Sequence, residues 1–119
     1  MALTVMELVI DCADHGAVVD FWAAAFGYER REVNEQYVAL VPPERGPGRP
    51  PLLFQKVPEP KVVKNRVHFD THAESMSAEV ERLTGLGATV IAERSLGQLS
   101  WTVMADPEGN EFCVSGDTA

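Results

Sequence analysis

"RVHFDTHAESMSAEVERLTGLG", Arg66 to Gly87, is the stretch on which the fold turns. Val67, Phe69 and Thr71 alternate with His68, Asp70 and His72, a period of two that marks a strand with one apolar and one polar face. Ser75 then caps "MSAEVERLTGL", where Met76, Val80 and Leu83 share one helical face, and Gly87 suits the stop. The same order stands earlier, in "ELVIDCADHGAVVDFWAAAFG", Glu7 to Gly27. A strand near Val5 to Cys12 leads to the cap Asp14 and a helix over Gly16 to Phe26, whose Val18, Phe21, Trp22, Ala25 and Phe26 form an apolar stripe. Glu7 lies seven residues before its cap and His68 seven before its own, while Gly27 and Gly87 follow the caps by thirteen and twelve.

Three β-like runs follow each helix. They are "YERREV", "YVALVP" and "LLFQKV" after the first, and "ATVIAE", "LSWTVMAD" and "NEFCVS" after the second. The last two are joined by a tight turn, "DPEGN", with Pro107 and Gly109 at turn-favoured places. The chain therefore reads as α+β, with one βαβββ unit present twice in a single domain, residues 1–119. Module one covers about 3–58, a linker "PEPKVVKN" about 58–65, and module two about 65–117. "PPERGPGRPP", Pro42 to Pro51, has five prolines and two glycines and cannot lie inside a sheet; it reads as an exposed connection between two strands.

Bulk composition narrows the function classes. At 119 residues, 45% hydrophobic and 24% charged, the chain is an ordinary soluble domain. No run approaches a membrane span, and the first residues lack a basic leader, so cytoplasmic residence is expected. Cys12 and Cys113 are then expected as reduced thiols. A net charge of -8 repels a phosphate backbone, which argues against nucleic acid as a partner. Neither a phosphate-cradling glycine loop nor a nucleophile elbow is present, and no nucleotide cofactor is expected.

"DFWAAAFGYE", "NRVHFD", "LTGLGATV" and "WTVMADPEGNEFCV" together resemble a glyoxalase-like domain of the vicinal oxygen chelate superfamily, which includes glyoxalase I, bleomycin-resistance proteins and extradiol dioxygenases. The resemblance implies two βαβββ modules forming a curved mixed sheet that encloses a cup-shaped cavity. In metal-dependent members four side chains on the cup floor hold a divalent ion, which chelates two neighbouring substrate oxygens. Carried across residue by residue, the first-strand places match Glu7 and His68, and the last-strand places fall near Gln55 and at Cys113. Metal-using members commonly have glutamate where this chain has Cys113. Zinc, nickel, manganese or iron is the cofactor class so implied, and a cysteinate favours zinc.

The residues themselves support this placement unevenly. Glu7 interrupts a strand whose other face, Leu8, Ile10 and Cys12, is apolar, so its carboxylate must face water, a cation or a partner. Asp11 and Asp70 extend the polar faces and can orient ligands, or else hydrogen-bond neighbouring strands. Trp101 shares a face with Leu99 and Val103, either as a stacking platform for a ligand or as core. Phe54 alternates with Gln55, so only one of the two faces a cavity. Two function classes follow. One is a metal-dependent lyase or isomerase of the glyoxalase type, with Glu7 also able to move a proton beside a carbonyl. The other is a metal-free small-molecule binding protein of the bleomycin-resistance type, taking cationic ligands on aromatic faces. Free sheet edges in each module lead to the expectation of a homodimer.

Overall fold

The structure, a computed structural model, describes residues 2–117. The single-domain assignment of residues 1–119 thus ends on positions outside the described span. The chain divides between Pro60 and Lys61 into two compact units.

In the first unit, β1 (Leu8–Cys12) leads into α1 (His15–Phe26), followed by β2 (Glu29–Glu32), β3 (Tyr37–Val41) and β4 (Leu52–Lys56). Asp14 accepts from the Gly16 amide at 3.1 Å, and Gly27 ends α1 with φ 70°. Both are the residues the pattern marked for those tasks. β1 pairs parallel with β4, and β4, β3 and β2 continue antiparallel, giving the order β1-β4-β3-β2. Val18, Val19, Phe21 and Trp22 are the buried residues of α1, which packs on β3 and β4. Val38, Leu40, Leu52 and Phe54 complete this core.

The proline-rich connection, outside the sheet as its composition requires, is anchored by a cation. Arg49 Nη2 donates to the Phe26 carbonyl at 3.2 Å, at the electronegative end of α1, and its guanidinium lies 5.2 Å from the centre of the Tyr28 ring. Arg49→Ala is expected to destabilise the protein by about 1 kcal/mol and to speed proteolytic nicking within 42–51. Denaturant unfolding and limited proteolysis check this.

The second unit repeats the plan with β5 (Asp70–Ser75), α2 (Met76–Gly85), β6 (Thr89–Leu96), β7 (Leu99–Ala105) and β8 (Glu111–Asp117). Its order, β5-β8-β7-β6 with β5 parallel to β8, is that of the first unit strand for strand. Ser75 caps α2 by accepting from the Ala78 amide at 3.2 Å. "DPEGN" is held by buried Asp106, whose Oδ1 accepts from the Glu108 and Asn110 amides, both at 2.9 Å. The fold is therefore α+β with two βαβββ modules, each carrying its own open four-stranded mixed sheet.

One boundary departs from expectation. The strand predicted from Arg66 begins only at Asp70, so His68 precedes it. The reason lies in the preceding linker. Glu111 accepts from Lys61 Nζ at 2.9 Å and from the Asn65 amide at 3.1 Å, while Asn65 Nδ2 donates to the Glu111 carbonyl at 3.2 Å. These bonds occupy the start of β8, and main-chain contact with β5 begins one turn of the pleat later, where the Cys113 amide donates to the Phe69 carbonyl at 2.9 Å.

Burial alternates along β7 and β8. Thr102, Met104, Phe112 and Val114 are buried, whereas Trp101, Val103, Cys113 and Ser115 are half-buried. The second face is thus not core. Among the described residues no helix is long and apolar enough to cross a membrane.

Candidate functional site

The half-buried face of the second unit lines an open concavity of about 850 Å³. Strand alternation assigns its residues in rows: Ala92, Arg94 and Leu96 from β6, Leu99, Trp101 and Val103 from β7, and Glu111, Cys113 and Ser115 from β8. His68 and Asp70 close one side, with Lys64 from the linker.

Three donors meet there. The ligating atoms of His68, Asp70 and Cys113 all lie within 4.8 Å of one another. Parallel pairing sets Asp70 directly beside Cys113, while His68, two residues ahead of the strand, is brought to Asp70 by a side-chain contact. His68 Nε2 lies 3.2 Å from Asp70 Oδ1. Thr71 Oγ1 donates to the Cys113 carbonyl at 2.8 Å and Ser115 Oγ to the Thr71 carbonyl at 2.9 Å, so the ladder carrying the cluster is tied from both strands.

Electrostatics keep this cluster protonated at one point. Burial pushes the Cys113 thiol up, the charge of Asp70 and the hydrogen bond between the two side chains add to that, and Lys64 pulls the other way. The thiol is therefore a weak nucleophile, and thiolate character requires a cation at the cluster. Glu111 behaves differently. Burial alone raises its carboxyl, but the bonds from Lys61 and the Asn65 amide outweigh burial and hold it below the ordinary carboxylate range. It stays an ionised partner of Lys61.

The first unit arranges its candidates otherwise. Glu7 is half-buried, one residue ahead of β1. Asp11 and Gln55 are register partners on β1 and β4, four residues beyond Glu7, which is about 13 Å at strand spacing. Gln55 thus has Asp11 rather than Glu7 as its strand neighbour. Phe54, expected as a cavity residue, is instead fully buried in the core, because alternation turns it away from the face that Gln55 takes. His72 is exposed.

Asp70 was expected only to orient other ligands, whereas its carboxylate lies together with the ligating atoms of His68 and Cys113. The signal for this is non-local. Only the pairing of β5 with β8 brings position 70 beside position 113. Arg94, which lines the same face two strands away, gave no sequence signal beyond its charge.

Comparison with known proteins adds the following. The model of a glyoxalase-like domain matches residues 7–115. The fold resembles that of the fosfomycin resistance protein FosX from Listeria monocytogenes, solved with Mn(II) and 1S,2S-dihydroxypropylphosphonic acid. The TM-score is 0.78 at 14% identity, covering 99% of this chain and 93% of that one. A glyoxalase/bleomycin resistance protein/dioxygenase family enzyme from Burkholderia phytofirmans PsJN gives 0.72 at 19% identity, covering 93% and 96%. Lactoylglutathione lyase from Agrobacterium tumefaciens gives 0.66 at 20% identity, covering 95% and 92%. No curated protein matches the chain.

Proposed function

Because the chain belongs to the glyoxalase-like domain family of the vicinal oxygen chelate superfamily, we propose that it is a divalent-metal enzyme of the lyase or isomerase type, acting on a small molecule with two neighbouring oxygens. The observation that carries this reading is the convergence of His68, Asp70 and Cys113 at one side of the concavity. An imidazole, a carboxylate and a thiol form a donor set that suits zinc, and nickel or iron(II) better than magnesium. Three protein donors are also the usual complement of a catalytic zinc site.

His68, Asp70 and Cys113 would hold a divalent ion, which would supply Lewis-acid chemistry at a substrate oxygen. His68 and Asp70 hold and orient the donor set from β5 and the residues just before it, and Cys113 contributes the softest donor. Trp101 and Val103 exclude water from one side of the concavity. Glu7, half-buried just ahead of β1, is proposed separately as the general base or metal ligand that the family resemblance implies. Gln55, next to Asp11, is proposed as an oxygen donor or a hydrogen-bonding contact for substrate.

Elemental analysis of protein purified without chelator, joined to thermal denaturation with added zinc, nickel, manganese or iron(II), tests the reading. Bound metal is expected, with zinc giving the largest rise in Tm. At a hundredfold excess over Kd the stabilisation is about 2.7 kcal/mol. No bound metal and no shift with any of the four overturns it. The metal-free binding reading is favoured by a different observation, the apolar lining of Ile91, Leu96, Leu99 and Trp101. It predicts that small organic ligands raise Tm equally with and without chelator.

A further inference from the structure

The concavity carries more information than its donor cluster, because its charges are not those of the molecule. The chain as a whole is strongly acidic, at -8. Within the concavity, however, the two carboxylates Asp70 and Glu111 share the lining with Lys64 and Arg94, and Glu111 is already ion-paired with Lys61. The two cations on the same lining, Lys64 and Arg94, have no carboxylate partner among the described residues. Arg94 has only a 3.5 Å contact from Nη1 to its neighbour's Glu93 carbonyl.

Register gives these groups an order. Cys113 pairs with Val103, and Val103 with Ala92, which makes one row running out from the cluster. The next row is Ser115, Trp101 and Arg94. Arg94 is therefore two strands and two residues from Cys113, about 12 Å from backbone to backbone, with the Trp101 side chain between.

From this order we propose that the ligand is an elongated organic anion. Its paired oxygens lie at His68, Asp70 and Cys113, a planar or apolar body lies on Trp101, and a second anionic group, a carboxylate or phosphonate, is held by Arg94. The inference rests on the proposed metal site only for the end at which the oxygens sit. Arg94 and Trp101 make the rest of the case by themselves. A cationic ligand, which the overall acidity invites, meets an uncommitted guanidinium at the far end of this surface.

Calorimetric titration of the 119-residue chain, with zinc and with chelator, uses three probes: mandelate, 4-carboxymandelate and 4-(aminomethyl)mandelate. The added carboxylate is expected to tighten binding about tenfold over mandelate, and the added ammonium to weaken it. In Arg94→Gln the ratio of 4-carboxymandelate to mandelate affinity falls to about one, whereas Arg94→Lys keeps most of it, since the charge survives without the fork. A carboxylate preference seen with chelator as well as with zinc, and lost in Arg94→Gln, supports this proposal even if the metal reading fails. Zinc-dependent binding of mandelate with no gain from the carboxylate overturns this proposal and leaves the metal reading standing. Tighter binding of the ammonium probe, or no binding of any probe in either state, also overturns it.

Discussion

Gly116→Ala is expected to destabilise the second unit by about 3 kcal/mol, combining close-packing strain with a left-handed backbone that alanine avoids. At Gly116 φ is +153°, and a Cβ built there lies 2.1 Å from the Ala73 carbonyl oxygen and 3.2 Å from the Met76 amide nitrogen. Both are backbone atoms, so no side chain can swing away to make room. Relief requires β5 to move off β8 at the place where their register already shifts, between Ala73 and Ser75, just before α2 begins. That same pair of strands sets Asp70 against Cys113 three residues earlier. Gly116→Ala should therefore lower the denaturation midpoint and also weaken zinc binding, although residue 116 offers no donor. Denaturant unfolding with Gly27→Ala as the control separates the two contributions. Gly27 has φ 70° but nothing within 4 Å of its would-be Cβ, so it carries only the conformational cost.

The second large effect falls on the cluster itself. Cys113→Ser is expected to lower zinc affinity by more than about 100-fold, because even partners one step removed from a metal cost 10–100-fold when changed. A serine hydroxyl is a far weaker zinc donor than a thiolate at neutral pH. Asp70→Asn should cost at least about tenfold and should do so without unfolding the chain, since Asp70 is exposed. Competition against a chromophoric chelator reads both. If Asp70→Asn binds zinc as well as the parent while Glu7→Gln does not, the donor set is that implied by family resemblance and Asp70 is only a neighbour.

Much of the fold was legible because its determinants are local. A cap two or three residues from the amide it serves, a helical stripe such as Val18, Phe21 and Trp22, and a glycine at positive φ each declare themselves within one turn. The repeat then supplied the topology, since two copies of strand, helix and three strands fold alike for the same reasons. What stayed hidden depends on pairing. The late start of β5 follows from Glu111 binding Lys61 and Asn65 across some 46 to 50 residues of sequence. Alternation along "LLFQKV" left open which of Phe54 and Gln55 is buried, and packing beneath α1 decides for Phe54. Likewise the pattern left Trp101 open between core and ligand platform, and the burial of Thr102 and Met104 on the other face of β7 leaves it beside the concavity. The candidate site was half visible. His68 and Cys113 stand out by position within motifs, whereas Asp70 as a donor and Arg94 as an anion contact emerge only from strand register.

On the proposed function, His68, Asp70 and Cys113 together bind a divalent ion through a cysteine thiolate. Cobalt(II), a visible stand-in for zinc, reports on this in the absorption spectrum of the 119-residue chain. The account predicts a stoichiometric complex with intense thiolate-to-cobalt charge-transfer absorption in the near ultraviolet, abolished in Cys113→Ser and displaced by zinc. A chain that takes up no cobalt, or a complex whose spectrum is the same with and without the Cys113 sulfur, contradicts it.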